Sequence, residues 1–338
     1  MKTIINIDGG LGRVITAIPA LLKYGKLHPD EDWYVMIPGW DFMTWGIEEL
    51  QQRTFNPETK GMFENYYWNA DKVISPEPYK LPAFYRNEIS LREAFDVLIN
   101  DTVDHSDLPE MTLELTIDEI LNARKIISDA KQFLKMEDKK VIVYQPFGST
   151  ASQSDLGIYD KSMRSLNHTF SNFMVEKLKK DYVVINMNAP LWVWDGIANL
   201  QPDPDLRTWS AIIQQADYFI GCDSCGQHIA RAVGTESSVV IAGTHEVNVS
   251  YPEKFHILKR KDAKYYPAPM RVSMLNSNLA EKLNEKRAAF TEEEMNSFYK
   301  EVVKKIEKSS SKSRLEGIKE NSLFADSKQS KDSKGFSK

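Results

Sequence analysis

Cysteine is nearly absent from this 338-residue chain: only Cys222 and Cys225 occur, spaced C-D-S-C. A structural zinc site needs four Cys or His ligands, and the sequence has no second CxxC and no HxxxH. The pair is therefore expected to be two small free thiols at a strand end, and no metal site is expected. Long hydrophobic runs are missing as well. No apolar stretch approaches the roughly 20 residues that span a bilayer. The opening MKTIINIDGG reaches Asp8 before a signal-peptide core can form. The cytoplasm is the expected location. A large net charge is also lacking. Lys and Arg number 43 against 48 Asp and Glu, a formal −5, which disfavours non-specific binding to nucleic acid without excluding a local basic cleft.

What remains is an ordinary globular composition, 42% hydrophobic and 27% charged, on a chain long enough for two domains. Short β-branched runs alternate with helical patterns, which argues for α/β architecture with parallel sheets. TIINI (3–7), WYVMI (33–37), KVIS (72–75) and FDVLI (95–99) read as strands of a first unit, and 117–135 as a helix. VIVYQ (141–145), YVVIN (182–186), YFIG (218–221) and SVVIAG (238–243) read as strands of a second. Their nearly continuous apolar character suits a sheet covered on both faces. The expected division is 1–137, 138–275, helices over 276–308 at the domain junction, and a disordered Ser/Lys-rich tail from 309. Thr291 with Glu294 predicts a capping box.

Three segments could carry chemistry. G-G-L-G-R, with Gly9, Gly10, Gly12 and Arg13, follows the first strand and opens the first helix. Such glycines let backbone approach a ligand, and the helix end offers N–H groups to an anion. A tight turn alone is the alternative. The segment lacks the third glycine of G-x-G-x-x-G and the Lys of a P-loop. The second segment, P-F-G-S-T-A-S-Q-S-D, places Ser149 and Thr150 past a strand end, where open sheets bind ligands. The third, G-C-D-S-C-G-Q-H, gathers Asp223, Ser224, Gly226 and His228 at a helix start. It is not the G-x-S-x-G elbow of a hydrolase. Asp203-Pro-Asp205, the nearest approach to an Asp-x-Asp pair, reads as a solvated turn.

GGLGRVITAIPAL and TWSAIIQQADYFIGCDSCGQHIARAVGTESSVVIAGT together resemble glycosyltransferase family 9, the heptosyltransferase-like enzymes. The likeness spans about residues 1–255 and is most specific over 206–244. It implies a GT-B fold, two Rossmann-like domains whose parallel sheets face a central cleft. Acceptor then lies against the first domain and a nucleotide-diphosphate sugar, the donor substrate, against the second, with no cofactor. MRSLNHTFSNFMVEKL is similar to the segment in which the family carries a cation for the diphosphate, which places Arg164 there. Two positions depart from the family pattern. Arg13 stands where the family usually has the acid that deprotonates the acceptor, and Cys225 shifts Gly226 by one place. An Arg cannot be a general base at neutral pH but can bind a diphosphate or an anionic acceptor. Asp8 and Asp101 are the candidates for the base.

The activity implied by the resemblance is inverting, metal-independent transfer of a sugar to a glycan or other hydroxyl acceptor, and the chain is expected to be a monomer. A nucleotide-sugar-binding module without catalysis is the alternative from another class. Transfer to a modified DNA base is a further one, which the net charge does not promote.

Overall fold

The computed structural model describes residues 1–154, 157–160, 162–259 and 289–309. The first unit comprises β1 (Lys2–Asn6), α1 (Leu11–Leu27), β2 (Asp32–Met36), α2 (Glu48–Gln51), β3 (Thr54–Phe55), β4 (Lys72–Ile74), α3 (Pro82–Tyr85) and α4 (Leu91–Asn100). Its strands are all parallel in the order β3-β2-β1-β4. Central β1 buries Ile4 and Ile5 completely. The order reverses between β1 and β4, and it is beyond the carboxyl ends of strands at such a reversal that open α/β sheets form a ligand crevice.

The second unit comprises α5 (Ile117–Leu134), β5 (Val141–Gln145), β6 (Ala151–Ser154), β7 (Gly157–Asp160), α6 (His168–Leu178), β8 (Val183–Asn186), β9 (Ala198–Asn199), α7 (Leu206–Gln215), β10 (Tyr218–Cys222), α8 (Cys225–Val233), β11 (Ser237–Val240), α9 (Glu246–Val249), β12 (His256–Leu258) and α10 (Glu292–Lys308). The sheet runs β12-β11-β10-β5-β8-β9, all parallel. That is the doubly wound order, with its reversal between β5 and β10. β6 and β7 form a separate antiparallel hairpin after β5. Helix α1 packs on α8, and one apolar cluster runs from Ile5 and Val14 through to Ile229 and Val239. The two crevices are thereby turned toward each other.

Four expectations are corrected. Residues 95–99 are not a strand: they lie in α4, which buries Leu91, Phe95 and Ile99. Ser90 and Glu93 close a capping box at its start, a stop-start signal that outweighs the β-branched character of Val97 and Ile99. Helix α5, expected with the first unit, packs on α7 and β8 of the second. Helix α10 does not sit at the junction either. It buries Met295, Phe298, Val302 and Ile306 in the cluster that holds Ile142, Tyr144 and Val184 of the second sheet. Its Thr291–Glu294 capping box is present as expected. Ser309, assigned to the tail, is buried at the end of α10. The expected helix over 276–288 and tail over 310–338 lie outside the described residues.

Candidate functional site

The first crevice is built on the turn after β1. Gly9 has φ of +95°, and a Cβ there would lie 2.7 Å from Arg13 Cδ, so both backbone and space demand glycine. Gly10 is the exposed N-cap residue of α1, with no neighbour near its missing Cβ. Arg13 is engaged by the protein itself. Its Nε donates to the Asp8 carbonyl at 2.9 Å and Nη1 to Glu77 Oε1 at 2.9 Å. Nη2 donates to Asp8 Oδ1 at 3.1 Å and to the Pro76 carbonyl at 3.2 Å. The guanidinium also lies over the rings of Tyr79 and Phe95. Burial disfavours its charge, but Tyr79, Glu77 and Asp8 more than offset this and raise its pKa. The expectation that Arg13 binds the diphosphate is thus corrected. This side chain ties the loops after β1 and β4 together and leaves the exposed Asp8 carboxylate held by one oxygen.

Removing Arg13 leaves the half-buried Glu77 carboxylate without a counter-charge and with the Tyr79 amide as its remaining donor. Arg13→Ala should lower unfolding free energy by about 2–3 kcal/mol, below the 3–5 of a fully buried pair because Asp8 is solvated. Arg13→Asp should be worse, since it adds a third carboxylate. Denaturant unfolding curves check both, and a stability unchanged in Arg13→Ala would contradict the clamp.

The second crevice lies at the β5/β10 reversal. A Cβ on Gly148 would be 3.7 Å from Ser224 Oγ, 3.8 Å from Ser165 Oγ and 3.9 Å from Asp160 Oδ2. The loops after both strands and the segment after β7 therefore converge on one small space. Asp160 organises it. It accepts hydrogen bonds from Thr150 Oγ1 (2.7 Å), the Ser162 amide (2.8 Å), and the Ser165 amide (2.9 Å) and hydroxyl (2.5 Å). Burial pushes its pKa up, but these donors prevail and hold it below the usual carboxylate range. Thr150 is thus part of this network, while Ser149 is exposed at the rim. Arg164 donates from Nε to Ser162 Oγ at 3.0 Å. Among the described residues its two Nη groups have no acceptor. Burial works against its charge, yet Asp223, Tyr79 and Asp160 keep it protonated.

Helix α8 starts at the same space. Ser224 is its N-cap, but makes no side-chain cap hydrogen bond. The Gly226 amide donates to Gln145 Oε1 at 3.0 Å. A Cβ at Gly226 would overlap that oxygen, so this glycine serves close packing of α8 on β5. The other first-turn amides have no helical partner and suit an anion. Asp223 is buried, and its two oxygens accept from Gln227 Nε2 and Thr244 Oγ1, both at 2.9 Å. Burial raises its pKa. Asp223 therefore braces the start of α8 from behind.

His228 is placed at the seam between the units. Its ring fills the space left by Gly12, where a Cβ would lie 2.6 Å from Cδ2, and Nδ1 is 2.6 Å from Tyr251 Oη. Burial, then the Arg164 charge, lowers its pKa from 6.5 to about 3. It is a neutral junction residue at neutral pH, and no cation for phosphate. The depressed folded-state value makes the unfolded chain bind the extra proton as pH falls below 6.5, so stability is lost from there toward pH 3. At pH 5 the contribution should be about 2 kcal/mol relative to pH 7. His228→Gln should flatten the decline of Tm between pH 7 and 5; an equally steep decline would contradict the neutral buried ring.

Asp101 does not join the cleft. It is the exposed C-cap of α4 with φ of 51°, beside Asn100, whose Nδ2 donates to the Ala20 carbonyl. That is more than two turns along α1 from the glycine loop. Asp205 caps α7 through the Thr208 amide, and Asp203 accepts from Trp209 Nε1, so the Asp-x-Asp segment is structural. Both cysteines are free. No cluster of three or more His, Cys, Asp or Glu capable of holding a metal occurs among the described residues. No helix among them is long and apolar enough to cross a membrane. Glu77, Gln145, Asp160, Ser165 and Tyr251 were not anticipated from sequence. Only the Asp160–Ser162 spacing, an Asx turn, carried a local signal.

No protein-family profile matches the chain, and no curated protein matches it in sequence. Solved structures do match in fold. E. coli ADP-heptose LPS heptosyltransferase II is 12% identical, covering 90% of this chain and 100% of its own with TM-score 0.57. A glycosyltransferase family 9 protein from Veillonella parvula is 10% identical over 89% of this chain and 97% of its own, TM-score 0.55. The iron-containing dodecameric glycosyltransferase TibC of enterotoxigenic E. coli is 13% identical over 91% and 78%, TM-score 0.54. The chain has the GT-B fold of the heptosyltransferase-like proteins.

Proposed function

We propose that this chain is a glycosyltransferase that moves a sugar from a nucleoside-diphosphate donor to an acceptor hydroxyl, by an inverting and metal-independent route. One observation carries the reading. Arg164, with both Nη groups free among the described residues, stands in the β5/β10 crevice where the uncapped start of α8 and the Gly148 backbone converge. A diphosphate placed there meets a fixed guanidinium and unpaired helix amides, which supply the positive charge a leaving diphosphate needs. The Ser224 hydroxyl lines the same space, and Ser149 is exposed next to Gly148.

Asp8, whose carboxylate is exposed beside the glycine loop, is the general base in this proposal. Its exposed carboxylate accepts the acceptor proton as the hydroxyl oxygen attacks the anomeric carbon. The bond from that carbon to the donor phosphate oxygen breaks on the opposite face, and the diphosphate leaves onto Arg164 and α8. The oriented Asp8–Arg13 pair explains how an acid can act in a loop that has Arg at position 13. The name of the E. coli relative makes ADP-heptose the first donor to test. Calorimetric titration of the full chain with ADP, UDP and GDP should show saturable binding of at least one; indifference to all three would contradict the donor site.

A further inference from the structure

The loops after β1, β2 and β4 form the first unit's side of the cleft, and their chemistry is uniform. They carry the carboxylates Asp8, Asp41 and Glu77. Their cations are Arg13, already paired with Asp8 and Glu77, and the exposed Lys80. The wider unit agrees, since residues 1–137 contain 23 Asp and Glu against 14 Lys and Arg. Along the same rim runs a line of rings. Trp40 Nε1 donates to the Gly9 carbonyl at 3.0 Å, which anchors the line at the glycine loop. Trp40 and Phe42 are 6.2 Å apart and edge-on, and Phe42 and Trp45 repeat that spacing. Trp45 is 55% exposed. Arg207 of α7 donates to the Trp45 carbonyl at 3.2 Å, so the far end is fixed to the second unit.

Resting on the glycosyltransferase reading, we infer that the acceptor is an uncharged saccharide bound along Trp40, Phe42 and Trp45, with its reacting hydroxyl presented to Asp8. A pyranose has one face of C–H groups that lies on the electron-rich face of an aromatic ring, and a hydroxyl edge that carboxylates accept from. A phosphate-bearing acceptor would meet carboxylates with a single unpaired lysine. Nucleic acid would find rings to stack on but the same repulsion along its backbone.

The test follows the tryptophan indole N–H signals by NMR during titration of the full chain. The probes are neutral di- and trisaccharides of glucose, galactose and mannose, their 6-phosphates, and a ten-residue oligothymidylate, each run beside a nucleoside diphosphate titration. The expected result is that a neutral saccharide shifts the Trp45 signal, identified by its loss in Trp45→Phe. Affinity should fall roughly 3- to 10-fold in Trp45→Ala, recover in Trp45→Phe, and leave nucleoside diphosphate affinity unchanged. Tighter binding of the phosphorylated saccharide or the oligonucleotide overturns the inference. So does a silent Trp45 in every saccharide titration while a nucleoside diphosphate binds, an outcome that leaves the donor site standing. Failure of the nucleoside diphosphates as well overturns the glycosyltransferase reading beneath it.

Discussion

Asp8→Asn should lower kcat for transfer by roughly 10²- to 10⁴-fold, the range for loss of a positioned general base, with little change in donor KM. The amide oxygen can still accept from Arg13 Nη2, so the clamp and the fold persist. Glu77→Gln provides the contrast. Glu77 is held by Arg13 and by the Tyr79 amide, and its loss should disturb stability more than turnover. Asp101→Asn should leave kcat unchanged, because Asn tolerates the left-handed C-cap conformation and the position lies outside the cleft. A variant Asp8→Asn with undiminished turnover would mean that another group takes the proton.

Arg164→Ala should weaken binding of the nucleoside diphosphate by about 1.5–3 kcal/mol, the value of a hydrogen bond to a charged group, or roughly 10- to 100-fold. Arg164→Lys should recover part of this, since a lysine keeps the charge but loses the planar two-donor geometry. The bond to Ser162 Oγ is lost and Asp223 loses a nearby positive charge, but Asp223 keeps Gln227 and Thr244 as donors, so the fold should persist with reduced stability. Calorimetry reads the affinity; an unaltered Kd in Arg164→Ala would move the diphosphate elsewhere in the crevice.

The second unit was legible from sequence because its strands are buried on both faces. Val141–Gln145 and Tyr218–Cys222 are buried at every position, as the continuous apolar runs of a sheet covered on both faces require. FDVLI met the same criterion of length and branching, yet belongs to α4. The deciding signal, Ser90 followed by Glu93, lay just upstream, and the same signal correctly marked α10 at Thr291. The motifs at Gly9 and Ser224 are local, and the structure sets both beside the reversals of strand order. The partners of buried charges were not legible, because they come from distant segments. Glu77 reaches Arg13 across 64 residues, Tyr251 reaches His228 across 23, and Arg207 reaches Glu119 across 88. Arg13 looked like a group for a diphosphate by residue type, and His228 like a member of the site at the start of α8. Tertiary neighbours turned the first into a clamp and burial left the second neutral.

Donor turnover decides between an active transferase and a module that only holds a nucleotide sugar. The measurement is release of nucleoside diphosphate from a panel of nucleotide sugars, ADP-heptose included, followed by mass spectrometry with the full chain. A neutral oligosaccharide mixture is present or absent. The account predicts that one donor yields its nucleoside diphosphate together with a saccharide heavier by one sugar, and that Asp8→Asn suppresses both products. Tight donor binding with neither release nor transfer from any donor would contradict it, leaving a binding module in which Arg13 marks the loss of the catalytic acid.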